Sequence, residues 1–95
     1  MAAYIVCLID VTHPEGYSKY IELAGPAVQK NGGRFLARGS KVEVLEGDCR
    51  PGRVVIAVFD DMDAARRSYQ SPDYQRAREH RIGAAIFQAI LVSDS

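Results

Sequence analysis

Residues 3–11 and 53–59 are nearly unbroken runs of Ile, Val, Leu, Ala and aromatic side chains, the composition of strands buried on both faces. After the first run, Thr12-His13-Pro14-Glu15 has the spacing of a capping box with Pro in the first turn, so a helix is expected to start here. Tyr17, Tyr20, Ile21, Ala24, Ala27 and Val28 then recur at three- and four-residue steps, one stripe facing a sheet. Asn31-Gly32-Gly33 stops that helix. Inside it, Pro26 cannot donate to the carbonyl of Glu22, which predicts a kink; the kink either follows a twisted sheet or opens a pocket, and the first reading is preferred. A second strand is expected from Arg34, interrupted at Gly39-Ser40 and resumed over residues 41–46, with an edge character from its alternating charges. Glu46-Gly47-Asp48 and Pro51-Gly52 turn the chain into the strand at 53–59. Asp60 or Asp61 can cap a helix bearing Met62, Ala65 and Tyr69, and Ser71-Pro72 can cap another reaching about Arg81. Residues 85–92 close the chain as a fourth strand.

The order βαββαβ, with an extra helix before the last strand, predicts an α+β, ferredoxin-like fold with an antiparallel sheet ordered four-one-three-two. In the central strands Ile5, Cys7 and Ile9 alternate with Val6 and Leu8, and Val54, Ile56 and Val58 alternate with Val55, Ala57 and Phe59. Both faces are apolar, whereas the helices of one chain cover only one. The other face therefore calls for a second copy of the chain, a homodimer with its sheets face to face.

Three segments carry a family likeness: Gly32-Gly33-Arg34-Phe35-Leu36-Ala37-Arg38-Gly39, Val44-Leu45-Glu46-Gly47-Asp48, and Pro51-Gly52-Arg53-Val54-Val55. With Asp10-Val11-Thr12 before the first helix, Tyr17 and Tyr20 on it, and Ser71-Pro72-Asp73-Tyr74 later, the chain resembles the domain of unknown function 1330 family of the dimeric α+β barrel superfamily. The likeness runs through almost the whole chain. It implies a dimeric barrel, with substrates held between helix and sheet where the superfamily has enzymes; isomerases, lyases and cofactor-free oxygenases occur among related families. It implies no particular reaction.

Ninety-five residues, 47% apolar and 25% charged, suit a single domain over residues 1–95. A chain of this size buries only roughly 60–65% of its unfolded surface, so a partner subunit would help its stability. Twelve basic and twelve acidic side chains cancel, which argues against nucleic acid or an acidic membrane as partner. The apolar run at residues 2–9 meets Asp10, far short of the ~20 apolar residues of a membrane span, and the chain is expected in the cytoplasm. Cys7 and Cys49 fit no zinc or redox spacing and are expected as reduced thiols. Arg50 beside Cys49 makes a thiolate conceivable, but an inert loop thiol is the preferred reading. No phosphate loop, nucleophile elbow or metal-binding motif is present, and no metal or cofactor is expected.

Candidate chemistry rests on scattered polar residues. His13, at the start of the first helix, is a surface or capping residue in the simplest reading and a general base in the functional one, with metal or haem ligation a third. Tyr17 and Tyr20 pack against the sheet and could together wall a cavity. Arg38, on the face of Leu36 if the strand is regular, needs an anion: Glu43, Glu46, the neighbouring protomer, or a substrate carboxylate or enolate. His80 and Arg81 sit at the end of the third helix, where Arg81 could contribute to an anion site and His80 has a structural explanation in the helix dipole. The functional assignment is thus His13, Tyr17 and Arg38 as catalytic groups, with Tyr20, His80 and Arg81 binding a small anionic or carbonyl ligand. A cofactor-independent enzyme competes with a non-catalytic small-molecule-binding or structural homodimer; haem binding ranks third, since neither histidine has a clear apolar pocket.

Overall fold

The computed structural model describes residues 1–94. Strand β1 (Ala3–Val11) leads into helix α1 (Pro14–Lys30), followed by β2 (Arg34–Gly39), β3 (Arg53–Phe59), α2 (Met62–Gln70), α3 (Pro72–Arg81) and β4 (Ala85–Ser93). All strand pairs are antiparallel, and the sheet order is β2-β3-β1-β4. This is the expected α+β, ferredoxin-like arrangement.

The helix ends follow local chemistry, with one departure. Asp61 accepts from the Ala64 amide at 2.7 Å and Ser71 from the Tyr74 amide at 3.3 Å, each satisfying a free N–H of a first helical turn. At α1 the cap is His13, and it makes no side-chain cap bond. The expected Thr12–Glu15 box does not form there. Instead the Thr12 and His13 amides both donate to the Ala84 carbonyl at 2.9 Å, tying the helix entry to the start of β4. Helix α1 continues through Pro26, which lies on its exposed side.

Gly32 adopts φ +91° at the end of α1, and Gly33 then passes close beneath the core. A Cβ on Gly33 would lie 2.6 Å from Val28 Cγ1 and 2.7 Å from the Phe59 ring. Phe59 is fully enclosed and cannot yield, so Gly33→Ala should cost about 1–3 kcal/mol by overpacking, read by urea denaturation. An unchanged midpoint would mean the turn can shift.

Strand β2 departs from expectation twice. Phe35 faces Ala57 but Ala37 faces Ile56, so an irregularity around Leu36 inverts the alternation. Arg38, opposite Val55, thereby shares the face of Phe35 rather than of Leu36. The strand also ends at Gly39, and residues 41–45 form no strand. The reason lies in β3: it starts at Arg53, with Gly39 already opposite Val54, so the following residues have no ladder to join.

All three helices cover one sheet face. Tyr20, Ala24 and Ala27 of α1 and Tyr74 and Ala77 of α3 join Cys7 and Ile9 in one buried cluster; Ala3, Ala57, Phe59 and Ala65 form a second near α2. The alanines let α1 and α3 lie close, and the Tyr20 and Tyr74 hydroxyls meet at 2.8 Å. The opposite face carries Val6, Leu8, Val54, Ile56 and Val58, with Leu36, Ile86, Ile90 and Val92 between 49% and 63% exposed.

Candidate functional site

Between α1 and the sheet lies a cavity of about 270 Å³. Its floor is the helix-facing row of the central strands, Cys7 and Ile9 of β1 with Val55 and Ala57 of β3; Phe35 and Phe87 stand at the flanking strands. Its roof is the α1 stripe, Tyr17, Tyr20 and Ala24, and Gly25 leaves the roof open above Arg38. Tyr69 and Tyr74 close the side toward α2 and α3. The cavity is polar only where phenol hydroxyls, the Cys7 thiol, Ser68 and two guanidinium groups, Arg38 and Arg53, reach it. Among the described residues the lining contains no carboxylate and no imidazole.

The two arginines arrive from adjacent strands. Arg38 stacks over the Phe35 ring with its guanidinium carbon 4.2 Å from the centroid, and among the described residues it has no carboxylate partner: Glu43 and Glu46 do not pair with it. Arg53, opposite Ile9 on β1, has its Nε buried without a hydrogen-bond partner. Nearby Asp10 is engaged elsewhere, accepting from the Gly52 amide at 2.8 Å.

Burial shapes the titration of the site. It pushes the Cys7 thiol up to about 11, against the opposing pull of Arg81. It also raises Tyr17, with Arg53 pulling the other way, and raises Tyr20, where the Tyr74 hydroxyl adds to the effect. These groups stay protonated near neutrality and are not bases there. Because a Cys7 pKa of about 11 replaces an ordinary 9.0, the folded state holds its proton longer than the unfolded chain. Stability should be full below about pH 9 and fall through pH 11, by on the order of 2 kcal/mol from Cys7 alone, with Tyr17 and Tyr20 adding in the same direction. Urea titrations across that range test this, and a flat profile would contradict it. In iodoacetamide at pH 8, exposed Cys49 should be alkylated and buried Cys7 spared, giving a single adduct by mass.

The residues singled out from sequence divide in three. Tyr17, Tyr20 and Arg38 line the cavity. Arg81 lies behind its wall: 8% exposed, it stacks on Phe87 at 3.7 Å and lies 5.7 Å from the Tyr20 ring, with Nε unpartnered. His13 and His80 do not line the cavity. Both are exposed near Gly16, where a Cβ would meet His13 Cδ2 at 3.3 Å and the His80 carbonyl at 3.4 Å, and His80 borders an outer groove between α1 and α3. Cys7, Arg53 and Tyr74 were not singled out. For Cys7 and Arg53 the signal was present, since each alternates in register with the core-facing residues of its strand; Tyr74, Ala77 and Arg81 form a buried stripe hidden among charges. Among the described residues no three His, Cys, Asp or Glu side chains gather as a metal site, and no helix is long and apolar enough to cross a membrane.

Comparison with known proteins gives a family and a fold. The family described as "Domain of unknown function (DUF1330)" matches residues 2–95. No curated protein matches the sequence. Among solved structures, a protein of unknown function from Rhodopseudomonas palustris is 22% identical, with 99% of this chain and 82% of that one covered at a TM-score of 0.76. SnoaB, a cofactor-independent oxygenase from Streptomyces nogalater, is 18% identical over 99% of this chain and 93% of its own, TM-score 0.71. A dimeric ferredoxin-like protein of unknown function from Thermobifida fusca is 18% identical over 98% and 91%, TM-score 0.70. At these identities the likeness establishes the fold.

Proposed function

This chain belongs to the domain of unknown function 1330 family, and we propose that it is a cofactor-independent enzyme that binds a small organic acid or enolisable carbonyl compound between α1 and the sheet. The cavity carries this reading: an apolar space of about 270 Å³ whose only charged lining groups are two arginines and whose buried phenols remain protonated. Such a lining stabilises negative charge on a bound oxygen. Tyr17 would donate to the developing oxyanion and Arg38 would hold its charge, with the α-proton passing to water at the exposed Arg38 end of the cavity, since no lining side chain accepts it. His13 and His80 have no part in it. The fold shared with a cofactor-independent oxygenase adds support by analogy alone.

The active form in this reading is a cytoplasmic homodimer of single-domain protomers. Its support is the uncovered apolar sheet face and the dimeric ferredoxin-like neighbour from Thermobifida fusca.

Because the lining offers no carboxylate or imidazole to take a proton, a non-catalytic small-molecule carrier is the competing reading. Exchange of α-protons in D2O, followed by NMR together with oxygen uptake over a panel of aryl acetates, β-keto acids and polyphenols, separates the two. Saturable exchange or oxygen uptake supports an enzyme. Saturable binding with neither leaves a carrier.

A further inference from the structure

We propose that Arg53 and Arg38 form a clamp for one carboxylate, so that the ligand is a ring-bearing monocarboxylic acid with its ring on the apolar floor, among the flanking aromatic side chains, and its acid group at the β2–β3 end of the cavity. The proposal rests on the cavity being a ligand site and adds the chemical class of that ligand.

The sheet register brings the two arginines together. Arg38 lies opposite Val55, and Arg53 lies two residues from Val55 on the same face, so the pair are diagonal neighbours across β2 and β3. The irregularity around Leu36 makes this possible; in a regular strand Arg38 would point to the other face. Arg38 is exposed to solvent and Arg53 half-buried, so two guanidinium groups of like charge stand at the open end of an apolar cavity, where a shared anion relieves their repulsion. The chain does not supply one. No Asp or Glu lines the cavity, Asp10 is spent on the Gly52 amide, and Arg53 Nε is buried without an acceptor. A carboxylate presents two acceptor oxygens in the plane that guanidinium forks match, which a lone carbonyl does not. The rest of the lining fixes the body of the ligand. Phe35, Tyr20 and Phe87 present ring surfaces, and a cavity of about 270 Å³ is almost twice the ~150 Å³ known to accept benzene, room for one ring with its acid substituent.

Benzoate and its neutral isostere benzamide test this, titrated by calorimetry and by thermal shift into the wild-type protein and the Arg53→Gln, Arg53→Lys and Arg66→Gln variants. The clamp predicts that benzoate binds at least tenfold more tightly than benzamide. Arg53→Gln should remove that preference, Arg53→Lys should retain part of it, and exposed Arg66→Gln should leave it intact. Equal binding of acid and amide, indifferent to Arg53→Gln, overturns the clamp while leaving the cavity as a ligand site. If neither compound binds the wild type while an aryl acetate, β-keto acid or polyphenol does, the clamp falls and the cavity reading stands; if none of these compounds binds, both fall. Should Arg53→Gln unfold, the comparison of benzoate with benzamide in the wild type and in Arg53→Lys still decides.

Discussion

Aspartate in place of Val6 should turn the protein from a dimer into a monomer at micromolar concentration. Val6 lies at the middle of the uncovered sheet face, paired with Ile56 on one side and Ile90 on the other, so these three residues form a row across β3, β1 and β4. At a two-fold interface each substitution is presented twice, and two carboxylates facing across an apolar contact must be desolvated together. The cost of several kcal/mol corresponds to a loss of about 10³-fold or more in dimer affinity. Because Asp in a central strand also costs the monomer, Ile90→Asp is the cleaner companion. Ile90 lies on edge strand β4 and is 61% exposed in the protomer, so its replacement should leave the folded protomer nearly intact while weakening the dimer. Sedimentation velocity reads both. A wild-type monomer at these concentrations would remove the dimer from the account, and a dimer untouched by either variant would move the interface to another surface.

Tyr17→Phe and Arg38→Gln should each lower turnover by about 10²–10³ while changing stability by no more than about 1 kcal/mol. For Arg38 the small stability effect follows from its surroundings. It has no internal carboxylate, so its removal strands no buried charge and forfeits only the stacking on Phe35. Tyr17 keeps its packing when it loses its hydroxyl, since its ring lies against Tyr20 with centroids 5.4 Å apart. A large fall in melting temperature for Arg38→Gln, with turnover unchanged, would return that arginine to a structural role. Tyr20→Phe makes a useful contrast: it breaks the 2.8 Å bond to Tyr74 and should cost stability as well as activity.

Much of this architecture was legible in the sequence because its signals are local. The bounds of β1 and β3 follow from their unbroken apolar runs, and Asp61 and Ser71 cap the helices that their positions predict. Both apolar faces of the central strands are visible from alternation alone. What was not legible depends on partners distant in sequence. Valines at 42 and 44 alternate like a strand, but β3 begins too late to pair with them. The irregularity around Leu36 has no residue signature of its own; Gly39-Ser40, where a break was expected, instead marks the end of the strand. Its consequence reaches the site, because it places Arg38 in the cavity beside Arg53. Helix α3 hid the burial of Tyr74 for a different reason: its buried positions are few and its surface is dense with charge, so no apolar stripe stands out, and Arg81, expected at an anion site, instead lies behind the cavity wall.

The claim on which the account turns is that the space between α1 and the sheet holds the ligand. Amide chemical-shift mapping of the wild-type protein during titration with millimolar benzoate tests it most directly. The largest saturable shifts should fall on Tyr17–Gly25 of α1, on Phe35 and Arg38 of β2, and on Arg53–Ala57 of β3. Shifts confined to the outer groove at Lys30, Arg76 and Glu79, or to Ile86, Ile90 and Val92 on the uncovered face, would contradict it.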